Sequence, residues 1–224
     1  MKNIKYEKTI TLCIVILFST SCIHQNFNIK KKIYFSEDVF KNWQLNTAIT
    51  SDEKRKHFIK GNKGVEIYYF PNNSLIQVRA YNAVTTYDIF CLYHLRTKRQ
   101  LQVGQGICNN PYGITKYYDN KGILLKEVDE EKECLFSIAQ LINKIKKEYH
   151  RNIERRNDST TFRKIVKNGK CYYFVKIYTG DIYKKPTIHI IIDGNTGKTI
   201  QEIILQYKRE GGVMSPFEEF IDKL

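Results

Sequence analysis

The strongest constraint on how this chain folds is an internal repeat. The segment Gly64-Val-Glu-Ile-Tyr68-Tyr69-Phe-Pro-Asn-Asn-Ser-Leu75-Ile76 aligns without a gap on Gly113-Ile-Thr-Lys-Tyr117-Tyr118-Asp-Asn-Lys-Gly-Ile-Leu124-Leu125. Between them lies a degraded copy, Asp88-Ile-Phe-Cys-Leu-Tyr93, followed by a polar turn and Leu101-Gln-Val103. The underlying period is therefore about half the separation of the two clear copies. Each unit is two short apolar runs joined by Asn, Gly, Pro or Lys, the chemistry of a β-hairpin. A lone hairpin cannot bury its apolar face, so stacked hairpins are the stable arrangement.

A charged stretch, Glu127-Val-Asp-Glu-Glu-Lys-Glu133, follows the repeats and reads as a solvated hinge. Behind it Ser137 and Gln140 have capping-box spacing, and Phe136 and Leu141 stand where a hydrophobic staple places them. Leu135, Ile138, Leu141, Ile142, Ile145 and Tyr149 recur at helical spacing. Lys144, Lys146, Lys147 and His150 gather where cations complement the helix dipole. Thr161 to Lys167 and Cys171 to Tyr178 read as strands joined by Asn168-Gly169, a strong hairpin signal. Thr187 to Asp193 and Thr199 to Tyr207 form a second pair, turned by Gly194-Asn195-Thr196-Gly197. Ser215-Pro216-Phe217-Glu218 opens a terminal helix. The expected class is α+β: a hairpin-repeat antiparallel sheet, then a helix packed on a four-stranded antiparallel sheet. The expected divisions are 1–21 (signal), 22–60 (tether and short helix opened by Ser36), 61–128 (repeats) and 129–224 (helix and second sheet). Thr50 to Lys63 is charged and expected to be exposed.

Two resemblances follow from these motifs. The pattern Gly-x-x-x-Tyr-Tyr-x-x-x-Gly-x-Leu, over Gly64 to Glu127, resembles MORN-type repeats and the related antitoxin-like repeat proteins of bacteria, although Asn73 replaces the turn glycine in the first unit. The helix followed by strands and the turn Asp193-Gly194-Asn195-Thr196-Gly197 resembles a PepSY-like domain over Phe136 to Tyr207. That resemblance implies an extracytoplasmic binding or inhibitory module and brings no catalytic residues.

The chain begins with a charged segment, Met1 to Lys8, and an apolar run of about ten residues, half of what crosses a bilayer. Phe18-Ser19-Thr20-Ser21-Cys22 then resembles the lipobox of bacterial lipoproteins, with Ser19 where leucine is usual. The resemblance implies cleavage before Cys22 and acylation of Cys22, a lipid anchor firmer than a single chain gives. Ile23, in the position where Asp retains such proteins at the inner membrane, implies the outer membrane. The segment Ile23-His-Gln-Asn-Phe-Asn lacks an acidic surface-export signal, which implies the periplasmic side. Ile23 to Lys32 has the composition of a tether.

The chain carries a formal net charge of +14. The charge reads first as a solvated surface; such a surface could also favour anionic lipid or polysaccharide, and for an exported protein nucleic acid is not expected as a partner. Beyond the signal and Cys22 stand Cys91, Cys108, Cys134 and Cys171, an even set with three possible disulfide connectivities and no C-x-x-C pair. Cys91, Cys134 and Cys171 sit among apolar residues and read equally as small buried hydrophobes. No two of the five histidines have metal-ligand spacing. His57 lies in a charged stretch, and His189, alternating with Ile188, Ile190 and Ile192, is expected on the far side of its strand from them. Asp129 to Glu133 lacks the ligand alternation of a calcium loop. Gly104-Gln105-Gly106 is too short to cradle phosphate and marks a turn or bulge. No catalytic motif, metal or cofactor is expected. The functional expectation is a non-enzymatic, lipid-anchored binding protein whose partner, besides the membrane reached through Cys22, is an envelope protein or polymer. The alternative is an immunity or antitoxin-like protein that neutralises a periplasmic toxin.

Overall fold

A computed structural model describes residues 34–48, 54–180, 185–206 and 215–223. Cys22 and the segments read as signal and tether lie outside the described residues. Tyr34–Leu224 form one compact unit, an α+β arrangement of two antiparallel sheets and, among the described residues, two α-helices.

The first sheet is a meander of β1 (Gln44–Leu45), β2 (Arg55–Lys60), β3 (Lys63–Phe70), β4 (Leu75–Asn82), β5 (Tyr87–His94), β6 (Gln100–Ile107), β7 (Asn110–Tyr118) and β8 (Leu124–Asp129), each paired with its sequence neighbour. The repeat units fall on β3–β4, β5–β6 and β7–β8. Strict alternation sorts the faces. Val65, Ile67, Ile76, Val78, Ala80, Ile89 and Cys91 are buried on one. Phe35 meets Tyr69 and Tyr93 across it, Phe40 stacks on Phe58, and the short 3-10 turn Glu37–Phe40 is capped by Ser36 as expected. The other face is more open and carries Glu66, Tyr68, Gln77, Arg79, Phe90 and Leu92, all half-buried. The sheet starts earlier than the charge of Thr50 to Lys63 suggests. β2 alternates Arg55 and His57 on the open face with Lys56 and Phe58 on the closed one. Lys56 is neutralised by Glu37 at 2.7 Å, and His57 is only 2% exposed. The Gly104-Gln105-Gly106 run is a bulge within β6, where the pairing with β7 shifts between Val103 and Gln105.

Helix α1 (Ile138–Tyr149) has the full capping box of Ser137 and Gln140. Leu135 lies outside it and is 80% exposed, because the helix begins only after the Ser137 cap. Strands β9 (Thr160–Lys167), β10 (Lys170–Tyr178), β11 (Thr187–Asp193) and β12 (Thr199–Leu205) form the second sheet in the order β12-β11-β10-β9. Asn168 and Gly169 turn β9 into β10 with positive φ at both positions, the backbone a two-residue hairpin of this hand requires. Ile138, Leu141, Ile142 and Ile145 of α1 meet Phe162, Tyr173, Val175, Ile177, Ile190 and Ile192 in one core.

That core also contains Ile107 and is flanked by Tyr87, Cys108 and Tyr112 of the first sheet. Position 129 thus marks the change from one sheet to the other, and residues of the β5–β7 region reach across it into this core. The stretch read as a hinge is fastened at three points. Glu131 accepts from the Ile138 amide at 3.0 Å, the Glu130 carbonyl accepts from Lys164, and Cys134 is disulfide-bonded to Cys171. Cys91 and Cys108 remain thiols.

His189 stands on the side of its strand that the alternation indicates, but that side is covered. It does face away from Ile190 and Ile192, yet it is 6% exposed, because the terminal helix α2 (Pro216–Asp222) covers that face. Phe217 sits 5.0 Å from the His189 ring, while Phe217 and Phe220 pack on Phe174. Burial, with Lys176 beside it, lowers the His189 pKa from 6.5 to about 4. As pH falls from 6.5 toward 4 the unfolded chain takes up a proton that the folded chain refuses, so stability is lost across that window. The full shift corresponds to about 3 kcal/mol, and lifting the short α2 to hydrate the ring reduces the loss below that. His189→Phe should flatten this part of the acid profile in denaturant melts. Equal acid slopes for variant and parent would show that His189 is not the group responsible.

Candidate functional site

The β6–β7 turn is Cys108-Asn109, with φ of 51° and 65°. Both residues adopt the left-handed region without being glycine, which costs free energy and is sustained only where the surroundings impose it. The two-residue turn closed by Ile107 and Asn110 requires it, and Asn110, 7% exposed, holds the tip in place. Its side-chain nitrogen donates to the Phe162 carbonyl at 2.8 Å and the Cys108 carbonyl at 3.0 Å, and its oxygen accepts from the Lys164 amide at 2.9 Å. One carboxamide thus supplies to the outer edge of β9 the donor and acceptor that a neighbouring strand would supply. The hairpin tip is pinned to the second sheet, and a cleft opens beside the pin.

This cleft has a volume of about 940 Å³ and is lined by Arg79, Arg156, Arg163 and Lys164 together with Cys108–Pro111 and Ser159–Phe162. A smaller hollow of about 300 Å³ adjoins it, sharing Arg79, Asn109, Asn110 and Pro111 and adding Asp88, Phe90 and Gly106. Four cationic residues and one carboxylate, that of Asp88, thus line the two hollows. Arg79 grips Asp88 through Nε at 2.7 Å and Nη2 at 2.5 Å, and its Nη2 also donates to Asn109. Burial pushes the Asp88 carboxyl up, against the pull of Arg79. Gly106 makes room for that carboxylate, since a Cβ there would lie 2.2 Å from its oxygen.

Arg156 is aimed by three groups. Its amide donates to the Val84 carbonyl at 3.0 Å, its Nε donates to the Asn82 carbonyl at 3.0 Å, and its guanidinium lies 4.8 Å from the Tyr81 ring centroid. Tyr81 is itself fixed by a 2.7 Å contact between its hydroxyl and His57 and by lying over Gly64, where no side chain fits beneath the ring. Burial lowers the pKa of that histidine, which favours the neutral ring. Arg163 is exposed, and Lys164 is half-buried. The site is thus a cationic recess built from β4, the β6–β7 turn, the loop after α1 and the edge of β9.

Its one thiol is unsuited to attack. Cys108 is half-buried, its sulfur lies 3.7 Å from the Ile153 carbonyl, and burial pushes its pKa up, disfavouring the thiolate. His94 accepts from the amides of Arg96 and Thr97 in a turn, and His150 caps α1. Among the described residues no three His, Cys, Asp or Glu side chains gather as a metal cluster. The cleft residues carry no local sequence pattern. Arg79 is visible only as a cation alternating with apolar neighbours in β4. The chain matches no protein-family model, no curated protein and no solved structure.

Proposed function

We propose that this chain is a non-enzymatic binding protein of the bacterial envelope. It is held at the periplasmic face of the outer membrane by acyl chains on Cys22 and engages anionic groups of an envelope polymer or protein. The observation that carries this reading is the cleft, lined by Arg79, Arg156, Arg163 and Lys164 with Asp88 in the adjoining hollow as the one carboxylate among the lining residues. The MORN-like hairpins and the PepSY-like helix and sheet support it as scaffolds that present surfaces rather than reacting groups. Anchoring rests on the small residues before Cys22, and binding rests on Arg156 and Arg163.

Two measurements test the two halves. Cys22→Ser should leave the protein in the soluble fraction or uncut, and a processed, membrane-bound Cys22→Ser protein would remove the anchor. Arg156→Glu with Arg163→Glu should weaken binding of polyglutamate about tenfold or more at low salt, because reversing two cleft charges removes about 1–2 kcal/mol of charge complementarity. Unchanged affinity in a variant with parental circular dichroism would remove the cleft from the reading.

A further inference from the structure

On the open face of the first sheet the cross-strand register lines up one side chain from each of seven strands. Arg55 stands opposite Tyr68, Tyr68 opposite Gln77, Gln77 opposite Leu92, Leu92 opposite Gln102, Gln102 opposite Tyr117, and Tyr117 opposite Lys126. Read from either end the order is the same: cation, tyrosine, glutamine, leucine, glutamine, tyrosine, cation. Tyr68 and Tyr117 are the equivalent positions of the two clear repeat copies, so the repeat has delivered the same ring to the same row twice. Arg55 lies 5.1 Å from the Tyr68 ring centroid and Lys126 lies 4.6 Å from that of Tyr117. Phe70, 40% exposed, extends the first platform with a ring nearly parallel to Tyr68, at 18°. The Tyr68 hydroxyl donates to Glu66 at 3.1 Å, which holds that ring in place.

We infer that this row is a binding track for a carboxylate-bearing glycan chain lying across the strands. The inference rests on the envelope-binding reading above and names the class of ligand. Tyrosine rings offer flat apolar faces for the C–H side of sugar rings. Each glutamine carboxamide both donates and accepts, as a run of hydroxyl groups requires. The two platforms are four strand spacings apart, about 19 Å at roughly 4.8 Å per step, a span suited to a polymer and too long for one sugar. Arg55 is paired with Glu66 at 3.6 Å and Arg79 with Asp88, so the charge that selects an anionic chain comes from Lys126 at the other end of the row. A peptide is less well served, because extended peptides dock on sheet edges through backbone groups, and here every strand of the row except β8 is flanked on both sides. Single-stranded nucleic acid also stacks on aromatic rings over cations, but its charge at every residue fits poorly with a row whose cations stand at the ends.

The test is titration of the mature protein with polygalacturonate, dextran, poly-dT and polyglutamate at about physiological ionic strength, where loose surface attraction is screened. Polygalacturonate should bind and dextran should bind at least about tenfold more weakly, the charge deciding between them. Tyr68→Ala with Tyr117→Ala should weaken polygalacturonate about tenfold or more, one ring's stacking at each end, while polyglutamate, held by the cleft, is unchanged. If the tyrosine pair fails to fold, Gln102→Leu with Lys126→Ala serves instead and should show the same selective loss, Gln77 being left in place because it also lines the hollow beside the cleft. Polygalacturonate affinity indifferent to both pairs, or poly-dT bound more tightly than polygalacturonate, overturns the track. Loss of polyglutamate binding in the arginine variants alone leaves the two sites separately readable.

Discussion

Replacing Cys134 and Cys171 together with alanine should lower stability by about 4 kcal/mol, the entropy that a bond across a 37-residue separation withholds from the unfolded chain. The bond joins the approach to α1 to the start of β10. Around it the chain is already tightly placed: the Phe136 amide donates to the Gly194 carbonyl at 2.8 Å, the Tyr173 hydroxyl donates to the Phe136 carbonyl at 2.8 Å, and the Phe136 ring occupies the space a side chain on Gly197 would need. Few native contacts therefore change when the sulfurs go, and the effect should be expressed through the unfolded state. The check is a pair of denaturant melts, oxidised parent against double alanine. A midpoint shift worth less than about 1 kcal/mol at unchanged slope would mean that the link constrains little.

The second large effect is expected at Asn110. Its replacement by alanine strips partners from the Phe162 and Cys108 carbonyls and the Lys164 amide, and an unmet buried group costs about 1–3 kcal/mol. With water from the cleft satisfying part of this, the loss should be about 3 kcal/mol. Asn110→Asp gives a sharper result. A carboxylate keeps the acceptor for Lys164 but sets negative charge against two carbonyl oxygens, so its folded-state pKa lies above the unfolded one. The penalty then appears as pH rises through the ordinary carboxylate range and is absent below it. Stability of Asn110→Asp relative to parent, followed from acid to neutral pH, should fall on the way up. A difference that does not vary with pH would show that the side-chain oxygen is not where the bond to Lys164 places it.

What the sequence makes legible is whatever is encoded within a few residues. The Ser137 capping box, the Asn168-Gly169 turn, the bounds of β11 and the hairpins of the repeat are local events, and each occurs as the residues suggest. What escapes is decided at long range. Arg55-Lys-His-Phe-Ile-Lys60 looks like a solvated stretch because its charges are countable, whereas the Glu37 that neutralises Lys56 and the Tyr81 that meets His57 are distant in the chain. His189 is placed on the correct side of its strand, but nothing near it announces that Phe217 will cover that side. The acidic run at Asp129 to Glu133 has a hinge's composition and a clamp's contacts. The repeat itself conceals a difference: Gly64 serves by leaving room for the Tyr81 ring, while Gly113 serves by adopting a φ of 65°. The cleft is the least legible feature, since Arg79, Asn110, Arg156 and Arg163 converge from four elements with no shared motif.

The order of strands has a consequence for how the chain reaches this form. In both sheets every strand pairs with the one made just before or just after it. Closing such neighbours costs little loop entropy, and chains dominated by near-neighbour contacts fold fast for their size. A polypeptide synthesised from its N-terminus emerges in the same order, so each hairpin can form on the one already standing, without waiting for the C-terminus. The sealing steps, among them the packing of α1 on the second sheet, the seat of Asn110 on β9 and the Cys134–Cys171 bond, need later residues to be present. The molecule is arranged to assemble progressively and to be locked last.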